Sequence, residues 1–285
     1  MKKPDSLPLR ASINTKREFN AAKRNAFGIF SDLKDTFNNS DTWRVLAWQD
    51  VKNRYRRSVI GPWWLTLSML AFVAGLGPLY AQLFGQNTPE YVPYLAVGIV
   101  FWVYIFSSAL ELCACLHSNA NLIHSSRVQV GSLVMRTIYR NLIILAHNLL
   151  AVALVLIWYR TPVTVHLLWL IPGLALVLAV QVFYGYLISM VCARYRDVEG
   201  ILASVMQLVF FISPIVWKVN QLPADKRAIA TYNPIAWVLD VLRAPFFGEM
   251  ASSTSWIGLV CMGLLFVLLA SLAFARGKSR ISYWV

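Results

Sequence analysis

Glu111 is the one acidic residue inside the long apolar stretches of this chain, and it shares a helical face with other side chains able to do chemistry. At about 100° per residue, Tyr94, Phe101, Tyr104, Ser108, Glu111 and Cys115 project within about 100° of one another. An ionisable group held in an apolar segment normally faces a polar cavity or a partner, so Glu111 is a candidate for lining a path or bonding a neighbouring element. It also lies within about two turns of the end of its stretch, close enough to reach lipid headgroups. The aromatic rings on this face suit two uses: ordinary packing, or stacking against the C–H faces of sugar rings. Composition leaves both open.

Other constellations are decided by spacing. Cys113, Cys115 and His117 are two residues apart, about 200° on a helix, so the three cannot chelate one metal. The four cysteines therefore read as small packing residues. His147 and His166 are isolated, and neither an HExxH nor a DxD-type acidic pair is present. Gly277-Lys278-Ser279 resembles the end of a phosphate loop, but Leu272 stands where that loop needs glycine. ATP is not bound by that route, so uphill transport would need an ion or another subunit. An ion-coupled carrier would show inverted repeats and several intramembrane acids. A channel lacks only a filter motif. An intramembrane enzyme lacks a nucleophile–base pair, although Asp225, Asp240 and Glu249 in one connection keep it as an alternative.

The elements that position these residues follow from composition. Of 285 residues, 58% are hydrophobic and 14% charged, with 11 Trp, 12 Tyr and 15 Phe. Soluble domains carry about 25% charge, and the mean hydropathy of +0.56 excludes an ordinary soluble globule and a disordered chain alike. Residues 58–89, 91–110, 141–159, 161–193, 200–217 and 250–275 contain no Asp, Glu, Lys or Arg. Each is long enough to cross a bilayer once, since a span takes roughly 20 apolar residues. Backbone groups in lipid must bond internally, which makes these runs helices. The expected fold is an all-α polytopic membrane protein with six spans, near 64–85, 93–115, 138–158, 167–192, 200–218 and 256–275.

The net charge of +13 reports orientation. With an even number of spans both termini share a side. Placing them inside leaves only Arg160, Lys218, Lys226, Arg227 and Arg243 of the 26 basic residues outside, which satisfies the positive-inside rule in the short loops. A basic total distributed this way points to a membrane and a docking surface, not nucleic acid. The chain divides into an N-terminal extension (1–41), an amphipathic helix (42–58), a six-helix domain (59–276) and a tail (277–285). No cleavable signal segment is expected before the first span. In the amphipathic segment Trp43, Ala47, Val51 and Tyr55 recur every four residues, with basic side chains on other faces, as in a helix lying on the inner membrane surface. In the long outer connection, Asn233-Pro234 makes a capped helix start. Ile235, Val238, Leu239 and Leu242 then form a stripe. Asp240 and Arg243, three residues apart, could pair weakly. This helix either lies on the surface or re-enters the outer leaflet.

The run Arg54-Tyr55-Arg56-Arg57-Ser58-Val59-Ile60-Gly61-Pro62-Trp63-Trp64 resembles the start of type-2 ABC exporter permeases, and in particular those for O-antigen and related polysaccharides. Tyr91 to Trp102, Arg194-Tyr195-Arg196-Asp197-Val198, Ser213-Pro214-Ile215-Val216-Trp217 and Asn233-Pro234 through Arg243-Ala244-Pro245 continue the resemblance in order. It implies a homodimer of six-helix subunits in the bacterial inner membrane, with N- and C-termini cytoplasmic. Two separate nucleotide-binding subunits would hold ATP and Mg, and this chain would bind no cofactor. The cargo implied is a lipid-linked polysaccharide, first O-antigen on undecaprenyl diphosphate, with capsule or teichoic acid as variants. A membrane enzyme acting on polyprenyl-linked sugars is the alternative of another class.

The resemblance maps an ATPase-docking helix onto about Ser118–Arg127, with Asn121, Leu122, Ile123, His124 and Arg127 as its candidates. Residues 42–58 become the interface helix. The segment 219–247, with Asn233, Pro234, Trp237, Asp240 and Arg243, becomes short re-entrant helices between the fifth and sixth spans. Tyr94, Phe101, Tyr104, Ser108 and Glu111 are the candidate path residues. Two features depart from the family pattern: an extension of roughly 40 residues before the interface helix, and Arg127-Val128-Gln129-Val130 where relatives often have Phe-Pro.

Overall fold

The computed structural model describes residues 28–56, 59–61, 63–125 and 128–285. Every regular element among them is helical. Among the described residues, α1 (Gly28–Asn38) and α2 (Ser40–Tyr55) precede the bundle. The bundle then runs α3 (Trp63–Leu83), α4 (Thr88–Ala114), the short α5 (Ala120–Ser125), α6 (Val130–Trp158), α7 (Leu170–Arg194) and α8 (Val198–Ile212). After an irregular connection come α9 (Ala228–Thr231), α10 (Pro234–Arg243), α11 (Ser253–Gly277) and α12 (Ile281–Trp284).

Among the described residues five helices, α3, α4, α6, α7 and α11, have the length and apolarity to cross a membrane. Their 21 to 29 residues correspond to about 32–44 Å at 1.5 Å per residue. The segment expected as the fifth span differs. Its helix, α8, has only 15 residues, about 22 Å against a hydrocarbon core of about 30 Å. The cause is local: Ser213 precedes Pro214, and the residue before proline is driven out of the helical region. Ser213 accordingly has an extended ψ of 147°.

α4 is the centre of the bundle, packing on α3, α6, α7, α8 and α10. Tyr91, Leu95, Phe101 and Leu112 along it are almost fully enclosed. The outer helices instead expose large apolar side chains, such as Trp63 and Trp64 on α3, Leu208 and Phe211 on α8, and Ile257 and Leu264 on α11. Such continuous apolar faces belong against lipid or another protein surface. α1, α5 and α12 gather at one end of the bundle, and α9 and α10 close the other.

The extension is structured where it meets the bundle. Asp32 of α1 is 3% exposed. Its Oδ2 accepts hydrogen bonds from the Gly131 backbone N–H at 2.9 Å and the Tyr186 hydroxyl at 2.8 Å. Lys278 stands 3.6 Å from its other oxygen. One carboxylate therefore ties α1 to the start of α6, to α7 and to the end of α11. The register tolerates no side chain at position 131, because a Cβ there would collide with the Tyr186 hydroxyl and Thr36 Oγ1. Gly131→Ala is expected to release α1 from the bundle while leaving the long helices folded. Limited proteolysis of the purified protein reads this as new cleavage within residues 28–38, and an unchanged pattern would refute it.

Candidate functional site

Glu111 lies three residues from the end of α4, where α2, α4 and α6 converge. Arg54 of α2 donates to its Oε1 at 3.0 Å. Arg140 and Asn141 of α6 donate to Oε2 at 2.8 and 2.6 Å. Asp50, one turn before Arg54 on α2, accepts from Arg140 at 3.0 Å and from both Nε and Nη2 of Arg136, at 2.8 and 2.6 Å. Arg136 also donates to Asn119 Oδ1 at 3.0 Å, in the loop that leads into α5. The result is a continuous chain of charge-assisted bonds from α4 through α6 and α2 to the α5 loop. Burial pushes the Asp50 carboxyl up, but Arg136 and Arg140 outweigh it and hold it below the ordinary carboxylate range.

Of the expected docking residues, Asn121 and His124 are exposed on α5, while Leu122 and Ile123 are half-buried and pack against the apolar cluster at this end of the bundle. The outward surface of α5 is therefore its polar one. Arg127 lies outside the described residues. Of the apolar residues expected on one face of α2, Trp43, Ala47 and Val51 are buried. Asp50 and Arg54, assigned to its polar faces, turn inward to the ionic chain.

The expected path residues separate. Phe101, Tyr104 and Ser108 are buried within the subunit. Phe101 packs on Phe246 at 6.1 Å between ring centroids, the Tyr104 hydroxyl donates to Gln181, and Ser108 bonds back to the Tyr104 carbonyl at 2.6 Å. In this conformation all three serve packing and polar satisfaction, and Glu111 serves the ionic chain. Tyr94 alone borders an open cavity, at the far end of the bundle.

That end is built around the break after α8. Asn233 caps α10, its side-chain oxygen accepting from Ile235 N–H at 2.9 Å and Ala236 N–H at 3.4 Å. Its amide also donates to Ser213 Oγ at 2.9 Å. Pro234 occupies the first turn, as expected. Asp240 and Arg243 do not pair. Asp240 Oδ2 accepts from the Ser252 N–H and hydroxyl, both at 3.0 Å, and from the Ser255 hydroxyl at 2.7 Å, gripping the start of α11. Arg243, 7% exposed, donates to the carbonyls of Pro214 at 2.8 Å and Ile215 at 3.3 Å. Its guanidinium lies 4.0 Å from the Tyr94 ring centre, a cation–π contact. The pair fails because each partner has a stronger call on it: free backbone donors and hydroxyls for Asp240, orphan carbonyls for Arg243. Trp237 is half-buried, donating to the Thr231 carbonyl at 2.6 Å.

Among the described residues no group of three His, Cys, Asp or Glu side chains is placed to hold a metal ion. Cys113 and Cys192 are joined as a disulfide between α4 and α7, which corrects their reading as separate packing residues. Cys115 remains buried and free. Sequence reasoning missed Asp32, Asp50, Arg136 and Arg140 as structural centres. The available signals were Asp50 as the lone acid in the second half of a basic helix, and Arg136 and Arg140 one turn apart beside Asn141.

Three outcomes follow from this geometry. Glu111→Gln and Arg140→Met should each destabilise the purified protein by about 1–3 kcal/mol, and the double variant by clearly less than their sum. Strictly additive losses in thermal unfolding would show that the two groups act independently. Because the Asp50 pKa is depressed on folding, its contribution is present at neutral pH and lost as pH falls through the lowered value. The acid-side decline in stability should therefore be shallower in Asp50→Asn, as read by unfolding at stepped pH. Phe101→Ala should cost about 3–5 kcal/mol and lower the amount of folded protein in membranes; normal abundance and stability would argue against its packing role.

Residues 41–247 match the family of ABC-2 type transporters. The chain is 23% identical over 247 residues to the O-antigen export system permease protein RfbA of Klebsiella pneumoniae, covering 84% of this chain and 92% of that protein. It is 22% identical to the protein of the same name from Myxococcus xanthus, over 71% of this chain and 78% of the relative. The polysialic acid transport protein KpsM of Escherichia coli is 18% identical, over 84% of this chain and 94% of its own length. With a matched region that runs from the first turn of α2 to the end of the α10 segment, and a fold of membrane-length helices around it, this chain belongs to the ABC-2 type transporter family.

Proposed function

We propose that the chain is the membrane-spanning permease subunit of an exporter for a lipid-linked polysaccharide, most directly O-antigen on undecaprenyl diphosphate. It works in the bacterial inner membrane as a pair of identical subunits with two nucleotide-binding ATPases. Both termini face the cytoplasm, which puts α5 and the ionic chain on the ATPase side and α9–α10 on the outer side, consistent with the distribution of basic residues. ATP and Mg are held in the partner subunits.

The observation that carries the reading is the short helix α5, with Asn121 and His124 exposed and Asn119 at its base bonded to Arg136 and thereby to Asp50, Arg140 and Glu111. A push on α5 from a moving ATPase would load α2, α4 and α6 together, because the charges that join them are costly to separate away from bulk water. The outward groups Asn121 and His124 are the contacts for that partner. The half-buried Leu122 and Ile123 brace the helix from behind. Re-entry of α10 into the outer leaflet is supported by its enclosure: Leu239, Val241 and Leu242 are fully buried against α4, α7 and α11. Irregular backbone at membrane depth is tolerated only where protein or a water-filled cavity surrounds it.

A capsular polysaccharide is the second reading, favoured by the likeness to the polysialic acid transport protein over most of both chains. In a strain with the gene disrupted, full-length lipid-linked glycan should accumulate on the cytoplasmic side and disappear from the cell surface. Shortened or unmodified glycan in its place would overturn the export reading in favour of an enzyme.

A further inference from the structure

Cys113 and Cys192 stand in the last turns of α4 and α7. Their Cα atoms are 5.5 Å apart and their sulfurs are joined. Cys113 is fully enclosed and Cys192 is 1% exposed. The other two of the chain's four cysteines, Cys115 and Cys261, are free.

The bond sits where the loop to α5 leaves the bundle. His117 Nε2, between α4 and α5, donates to the Cys192 carbonyl at 2.8 Å. Asn119 Nδ2 donates to the Cys115 carbonyl at 2.7 Å, and its Oδ1 accepts from Arg136 at 3.0 Å. The disulfide therefore joins α7 covalently to the helix end that leads into α5. α7 supplies no side chain to the ionic chain that unites α2, α4 and α6. It instead carries Tyr186, bonded to Asp32, and packs along α11. α4 and α7 approach closely beside the sulfurs, where a Cβ on Gly185 would stand 3.0 Å from the Leu112 side chain. Leu112, Leu116, Tyr186 and Met190 form one apolar cluster here. Packed helices can slide past one another by small shear movements, and a covalent bond between their ends removes that freedom.

On the orientation proposed above, both helix ends face the cytoplasm. Thiols there are kept reduced, and the disulfides that do form are mostly transient ones that catalyse or sense oxidation. Two thiols enclosed at bonding distance in such a compartment form a pair that oxidation can close and reduction can reopen. Resting on that orientation and on the export reading, we propose that Cys113 and Cys192 are a reversible oxidation site that arrests export by locking α7 to α4 beside the docking helix. The oxidant is a small peroxide, because the enclosure of both sulfurs excludes bulky disulfides. One thiol, ionised, attacks a peroxide oxygen, giving a sulfenic acid and releasing hydroxide, which takes up the thiol's proton. The second thiol then attacks that sulfur, the S–S bond forms, and water leaves. The pair of thiols loses two electrons, and hydrogen peroxide is reduced to two waters. A small dithiol reopens the bond by two successive exchanges. Burial in apolar surroundings disfavours the thiolate, so the site answers sustained oxidation, not a momentary pulse.

The test uses the permease assembled with its ATPase in nanodiscs, with all four permease thiols reduced at the start. Free permease thiols are counted by maleimide labelling after denaturation, and ATP hydrolysis stimulated by lipid-linked glycan is measured on the same sample. Prolonged hydrogen peroxide should lower the count from four to two. The stimulated rate should fall about fivefold or more, the low end of ordinary coupling between sites. Dithiothreitol should restore both. Cys113→Ala and Cys192→Ala should each keep the rate of the reduced wild type and ignore peroxide, while Cys115→Ala should respond as the wild type does. A pair that never closes, a closed pair with an undiminished rate, or equal inhibition of Cys113→Ala would each overturn the site. In acid-quenched cells the pair should be open before peroxide treatment and closed after it; a pair already closed in untreated cells would also overturn the proposal. A C-terminal tag reached only from outside the inner membrane would assign that failure to the orientation, and one reached only from the cytoplasm would confine it to the oxidation site. Accumulation of lipid-linked glycan inside the gene-disrupted strain leaves the export reading standing in either case.

Discussion

Polar groups that this chain withdraws from water are costly unless they find partners inside the protein, and that requirement organises both ends of the bundle. At the α9–α10 end the helix after Val198 stops at Ser213-Pro214, leaving carbonyls that no following helical turn can satisfy. Tyr91 and Tyr94 of α4 and Arg243 of α10 donate to the carbonyls of Pro214, Ile215, Val216 and Trp217. A cation at a helix C-terminus is also favoured by the helix dipole. The irregular segment is stable there because three side chains take the place of water. At the α5 end the same requirement acts on charge. Glu111, withdrawn to 24% side-chain exposure, is matched by two arginines and an amide.

This explains why so few residues join so many elements. Removing one member of a partly buried network leaves the others unpaired, so such networks hold their geometry more strictly than apolar contacts do. Asp32 does for α1, α6, α7 and α11 what Glu111 and Asp50 do for α2, α4 and α6. The two centres make the α5 end of the bundle one connected body. The middle of the bundle, by contrast, is held by apolar packing around α4, which is less directional and can shift as helices move.

Much of this was legible before any coordinates. Charge-free runs located five long helices, and the Asn233-Pro234 start and the α2 face of Trp43, Ala47 and Val51 follow from local rules, while a helix within Ser118–Arg127 came from the family resemblance. What was not legible was contact between elements distant in sequence. Phe101, Tyr104 and Ser108 share a face with Glu111, and periodicity alone treats them alike; the structure separates them, because that face meets α7 and the α10 segment along one length and α2 and α6 along another. Likewise, Asp240 and Arg243 are correctly spaced to pair on an isolated helix, yet each is drawn to groups that only the folded chain brings near.

The amino-acid sequence by itself determined that this is a helical membrane protein, its orientation preference and its kinship, because hydrophobic length, charge asymmetry and ordered motifs are properties of the chain in any conformation. Only the tertiary structure decided that Glu111 works as an ionic junction and that the fifth expected span ends early. Those outcomes depend on which polar groups meet across the fold, and desolvation makes that choice only when the helices are packed together.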